Sequence, residues 1–128
     1  MLEMIMQMTN AEMVQKIDQL SKYLDHVDII GYAAARNIRR LQDASLEYTK
    51  RRDEILTKYG EVELDENGRD TGKRYVTNNS PHFQEVDDIL TPISEIKHEV
   101  DIFTIEYGLI NGVLSGSDIL ELDWMLTE

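Results

Sequence analysis

The sequence predicts an α+β fold, mainly α, organised as one domain over residues 1–128. Three observations point to it. A helical periodicity runs over about residues 28–60, three further stretches carry helical spacing with capping signals, and the pattern breaks at 61–79, where turn residues and alternation take over. The expected architecture is a long central helix packed with three further helices and a small antiparallel sheet or hairpin.

The central helix rests on Ala34, Ile38, Leu41, Ser45, Tyr48, Arg52, Ile55 and Tyr59, which follow one another at steps of four and three and so share one face. Asp28 is suited to N-cap it. Lys58 stands in the last turn, and Gly60 lies where a left-handed residue would end it. Ser45 and Arg52 interrupt the apolar stripe. A dimeric coiled coil wants an unbroken seam, so the stripe reads as a face packed on its own chain. Gly31 with Ala33, Ala34 and Ala35 makes a thin-walled surface, expected where another helix comes close.

The remaining elements follow in order. Residues 1–8 (MLEMIMQM) read as a mobile start, a short strand or a helix turn; Glu3 and the lack of a basic n-region argue against a signal peptide. Thr9-x-x-Glu12 is a capping box for a helix from Thr9 to Leu24, with Met13, Ile17, Leu20 and Leu24 inward. The excursion at 61–79 has alternating Val62 and Leu64, an Asn67-Gly68 turn and a return through Tyr75-Val76. Asp65, Asn67 and Asp70 suggest calcium, but an EF-hand loop starting at Asp65 needs glycine where Asp70 stands. Ser80-Pro81 opens the next helix, with Asn79 or Ser80 as cap and a kink or break at Pro92. Residues 98–107 read as a strand pairing with the excursion, Phe103, Ile105 and Tyr107 pointing one way. Ser115-x-x-Asp118 starts a terminal helix with Ile119, Leu122 and Leu126 inward and Trp124 and Met125 beside them.

Composition narrows the function. The hydrophobic fraction of 41% and charged fraction of 30% are those of a folded domain rather than a disordered chain. The absence of cysteine removes thiol catalysis, disulfides and zinc–thiolate sites, and is in keeping with a cytoplasmic setting. No apolar run has the length of a membrane span. The net charge of −12 is uneven: residues 29–60 hold seven Lys/Arg against four Asp/Glu, whereas 61–128 hold four against sixteen. Such a chain repels nucleic acid over most of its surface and attracts basic partners. The basic cluster of Arg36, Arg39, Arg40, Lys50, Arg51 and Arg52 is interleaved with Asp43, Glu47, Asp53 and Glu54, spacing that suits intrahelical ion pairs.

Catalytic patterns are missing from the sequence. His26, His82 and His98 have no partner at ligand spacing, and no Glu-x-x-His, GxSxG or phosphate-cradling glycine motif occurs. No enzyme, cofactor or metal site is therefore expected. The candidate binding residues are acidic and cluster late in the chain: Glu99, Asp101, Glu106, Asp118, Glu121 and Asp123, with Trp124 as an apolar anchor.

The runs Val27-Asp28-Ile29-Ile30-Gly31-Tyr32-Ala33 to Ile38, Arg52-Asp53-Glu54-Ile55-Leu56 to Glu61 and Asp65-Glu66-Asn67-Gly68 resemble small proteins encoded by tailed phages and prophages. Phe83-Gln84-Glu85-Val86, Glu99-Val100-Asp101-Ile102 and Leu114 to Asp118 fit the same order, so the resemblance spans about residues 24–126. That family has no assigned function. The resemblance implies an origin and no active site. Together these readings lead to a non-enzymatic acidic protein that binds a host or phage protein with a basic surface in the bacterial cytoplasm, inhibition of host defence being one such role. The alternative is a virion structural or assembly factor, a homo-oligomer built on the long helix.

Overall fold

The computed structural model describes residues 3–128. Its elements are β1 (Glu3–Thr9), α1 (Asn10–Ser21), α2 (Ile29–Ala44), α3 (Leu46–Tyr59), β2 (Glu61–Leu64), β3 (Asp70–Tyr75), α4 (Phe83–Ser94), β4 (Lys97–Phe103), β5 (Ile105–Glu106), α5 (Gly116–Leu122) and β6 (Leu126–Thr127). Short 3₁₀ turns cover Tyr107–Leu109 and Asp123–Met125. The fold is α+β, with helices predominating over small sheets. The chain divides into two compact units, one made of Met1–Ser45 with Lys97–Glu128, the other of Leu46–Ile96.

The first unit holds the apolar core. α1 begins on the expected capping box: Glu12 N–H donates to Thr9 Oγ1 at 3.1 Å and Thr9 N–H to Glu12 Oε1 at 3.3 Å. The helix stops at Ser21, however, and Leu24 is exposed rather than inward. α2 is capped by Asp28, which accepts from Ile30 N–H at 3.0 Å. Its inward face buries Ile30, Ala33, Ala34, Ile38 and Leu41 against Met8, Met13, Leu20, Val100, Ile102 and Met125. Helix α1 packs on α2, where Ala33 and Ala34 are buried, as expected of the small-residue run. At Gly31 itself the close neighbour is the preceding loop: a Cβ there would lie 1.8 Å from the carbonyl oxygen of His26.

The single helix expected over 28–60 is divided at Ser45. The hydroxyl of this fully buried residue donates to the Leu41 carbonyl at 2.7 Å, and its backbone has left helical geometry at φ −99°, ψ 6°. A buried hydroxyl bonding back to the carbonyl four residues earlier bends or ends a helix. What reads in sequence as a gap in an apolar stripe is the point where α2 ends and α3 begins.

The opening residues also resolve. β1 is a strand, antiparallel to β4 with Glu3 opposite Phe103 and Thr9 opposite Lys97, in unbroken register. Part of the segment read as a mobile start or strand, residues 1–2, lies outside the described residues. β4 therefore pairs with β1 and not with the 61–79 excursion. Val100 and Ile102 must face the core, and β1 supplies Met6 and Met8 on the same side. The strand pattern changes at its end: Phe103 and Ile105 are buried as expected, but Tyr107 is exposed. The terminal helix is shorter than expected. Leu122 and Met125 are the buried residues, Ile119 and Leu126 are half-buried, and Leu126 belongs to β6, parallel to β5.

The second unit contains α3, α4 and the antiparallel hairpin β2–β3. The hairpin turn is held by Asp65, whose Oδ1 accepts from Asn67 and Arg69 N–H at 2.9 Å each. Gly60 does not adopt a left-handed conformation. A Cβ there would meet the Leu56 carbonyl oxygen at 2.4 Å, which is why the position is glycine. Pro81 does not open α4 either. Ser80 is buried, accepting from Thr77 N–H at 2.9 Å and donating to Glu61 at 2.8 Å, and α4 starts after His82 without a side-chain cap. Pro92 is tolerated within the last turn of α4, which ends two residues later.

Candidate partner-binding face

β4 alternates sharply. Val100 and Ile102 are buried while Glu99 and Asp101 are exposed, so the two carboxylates stand on the outer face of the β1–β4 sheet. Opposite them in register are Gln7 and Ile5, and Ile5 is 66% exposed. Among the described residues neither carboxylate has an ion-pair partner. Lys97 is the one cation in β4, at its first position. An open groove of about 440 Å³ runs beside them, lined by Arg40, Asp43, Ala44, Glu99, Val100 and Asp101.

Two side chains of α2 hold this strand in place. Asn37, fully buried, donates from Nδ2 to the Phe103 carbonyl at 2.9 Å and accepts from Phe103 N–H at 2.8 Å. Its amide thus does for the end of β4 what a neighbouring strand would do. Arg40 donates to the Asp101 carbonyl at 3.2 Å and bonds Glu3, which Arg36 also reaches at 3.2 Å. The Arg40 hydrogen bond, aided by the charges of both arginines and opposed by partial desolvation, holds the Glu3 carboxyl below its ordinary pKa. Arg36 and Arg40 therefore reach across to β1 instead of forming the intrahelical pairs expected of them. Arg51 does pair along its helix, with Glu54 at 3.2 Å. Sequence reasoning missed Asn37. Its position on the buried face of α2, between Ala34 and Leu41, was the available signal.

The other candidate residues are distributed elsewhere. Asp118 and Glu121 accept from the Tyr23 hydroxyl at 3.0 and 2.8 Å, and Lys22 pairs with Glu121 at 2.9 Å, tying the end of α1 to α5. Burial first, then the bonds to Glu121 and Asp118, push the Tyr23 phenol well above its ordinary pKa; the Lys22 and Tyr23 bonds lower that of Glu121. These two acids are engaged within the fold. Glu106 and Asp123 are exposed, on β5 and in a 3₁₀ turn. Trp124 is half-buried against the core, with the Lys16 ammonium 5.3 Å from its ring centroid.

Comparison with protein-family models, curated proteins and solved structures finds no match.

Among the described residues no group of three or more His, Cys, Asp or Glu side chains is placed to hold a metal ion. No described helix is long and apolar enough to cross a membrane. On this face β4 presents two neighbouring carboxylates without ion-pair partners among the described residues, with the exposed Ile5 of β1 beside them.

Proposed function

We propose that this chain is a non-enzymatic binding protein of phage or prophage origin, acting in the bacterial cytoplasm, and that the outer face of the β1–β4 sheet receives a basic surface of a host or phage protein. The observation that carries the reading is the pair Glu99 and Asp101 on a strand clamped by Asn37 and Arg40, exposed beside Ile5 of β1 and without ion-pair partners among the described residues. Carboxylates on a rigid strand keep their spacing, so attraction to a basic partner is gained without ordering flexible side-chain carriers. A nucleic-acid-binding groove is a natural target, the carboxylates standing where phosphates would sit, and blocking such a groove would inhibit a host defence enzyme. The assembly-factor alternative relied on one long helix; the division at Ser45 leaves it without that seam.

Affinity capture from bacterial lysate followed by binding kinetics tests this. Association with the captured protein should slow with added salt, and Glu99→Lys/Asp101→Lys should slow it about tenfold or more at low salt. Glu106→Lys, on β5 outside the β1–β4 sheet, serves as the charge control. An association rate indifferent to salt and to the β4 reversal would overturn the reading.

A further inference from the structure

We propose that two copies of this chain pair antiparallel along the outer edges of their β1 strands, joining two two-stranded sheets into one of four strands.

The backbone phase identifies the open edge. Asn37 occupies both main-chain groups of Phe103, and Arg40 the carbonyl of Asp101, so these residues direct their backbone groups away from β1. By strand alternation, the ladder to β1 runs through Val100 and Ile102, opposite Met6 and Met4. Ile5 and Gln7 then direct their N–H and C=O groups to the far edge of β1, where no second strand lies among the described residues. Thr9, next in that phase, has its N–H taken by Glu12, which closes the edge at the start of α1.

This edge lacks the usual protection. Exposed edge strands in native proteins carry lysine, proline or a bulge that discourages pairing. β1 reads EMIMQMT, without lysine or proline; its one charge, Glu3, is paired with Arg36 and Arg40, and its register with β4 is regular. Ile5 is 66% exposed and Met4 is 40% exposed. The hairpin strand β2, by contrast, carries a register shift between Val62 and Leu64.

The sequence of β1 is complementary to itself. A two-fold axis at Ile5 sets Ile5 against Ile5 of the second copy, Glu3 against Gln7, and Met4 against Met6. Apolar meets apolar, and each carboxylate meets an amide, so no like charges face each other. Shifting the axis to Met4 or Met6 places Ile5 against Glu3 or Gln7 and loses the apolar centre. Glu3 is already anchored by Arg36 and Arg40, so the start of the strand need not be ordered on pairing. Glu99 and Asp101 would then appear twice on one continuous face. The pairing stands on the geometry of β1 and does not depend on the partner-binding proposal. Strand pairing alone buries a small interface, so the dimer should be reversible and concentration-dependent.

The cysteine-free chain makes the test direct. Sedimentation velocity should give a concentration-dependent dimer for the wild type and a monomer for Ile5→Lys, with an unchanged circular-dichroism melt showing that the variant folds. Facing residues that exchange both hydrogen bonds are about 5.5 Å apart at Cα, within reach of a disulfide. Ile5→Cys should therefore form a linked dimer under mild oxidation much faster than exposed Ser117→Cys. Glu3→Cys and Gln7→Cys should crosslink when mixed and not singly, which reports the register. A wild type that stays monomeric at its highest soluble concentration would overturn the proposal. So would a dimer that survives Ile5→Lys, or an Ile5→Cys crosslinking rate no greater than that of the control.

Discussion

Helices α2 and α3 follow one another in the chain and carry apolar side chains at similar spacing, yet they are used differently. α2 buries Ile30, Ala33, Ala34, Ile38 and Leu41, whereas α3 buries no residue fully and keeps Ile55, Leu56 and Tyr59 half-exposed. The contrast extends to their units. The first is organised by a continuous apolar cluster in which the buried amide of Asn37 is matched to backbone. In the second, Val86 and Ser80 are the buried residues, and polar bonds do much of the holding: Asp65 in its turn, Arg74 on Asp70, and Ser80 between Thr77 and Glu61. Periodicity shows which face of a helix is apolar. How much that face is covered depends on what the rest of the chain supplies.

Opposed substitutions break this comparison most strongly. Ile38→Asp places a carboxylate in the first unit's core and should destabilise it by about 3 kcal/mol or more, because the charge has no partner there. Ile55→Asp sits on the half-exposed face of α3 and should cost about 1 kcal/mol or less. Chemical denaturation of both variants checks the difference; equal losses would mean that α3 is buried as deeply as α2. An effect between these two is expected at Asn37. Asn37→Leu keeps the branched shape of the side chain but leaves the Phe103 N–H and C=O without their partner, at about 2 kcal/mol. A stability unchanged by that substitution would show that water replaces the amide, and that the clamp on β4 is dispensable.

Much of this layout was legible where the signal is local. Thr9, Asp28 and Ser115 cap the helices they were expected to cap, because a capping side chain needs only its own first turn. The hairpin at 61–79 was legible for the same reason. The break at Ser45 was not, since a serine on an apolar face reads as a weak position until its burial forces the hydroxyl onto Leu41. Nor was the pairing of β1 with β4, which joins residues far apart in the chain through a run of methionines too short to declare a period. The acidic candidates show the same limit. Composition drew attention to the acidic late half of the chain, but only the fold separates Asp118 and Glu121, engaged with Tyr23 and Lys22, from Glu99 and Asp101 on the open face.

The smallest expected effect sharpens the comparison through acid titration. Glu121 in the first unit and Asp70 in the second both have carboxyls held below their ordinary pKa, for different reasons. For Glu121 the largest cause is the Lys22 hydrogen bond, followed by that of Tyr23; for Asp70 it is the Gly72 backbone N–H, followed by Arg74. A carboxyl whose pKa is depressed by folding stabilises the native state fully above its unfolded value. That contribution fades as pH falls from the ordinary carboxyl range down through the folded value. Glu121→Gln and Asp70→Asn should each flatten the loss of stability over that window, modestly, because both groups are accessible to water. Salt separates them. An ammonium–carboxylate pair is screened by added electrolyte, whereas a backbone hydrogen bond is affected less. Melting curves across the window at low and high ionic strength should therefore show the Glu121→Gln difference shrinking with salt and the Asp70→Asn difference largely persisting. If both shrink alike, Arg74 rather than the Gly72 N–H governs Asp70, and the start of β3 is held by charge instead of by its own backbone.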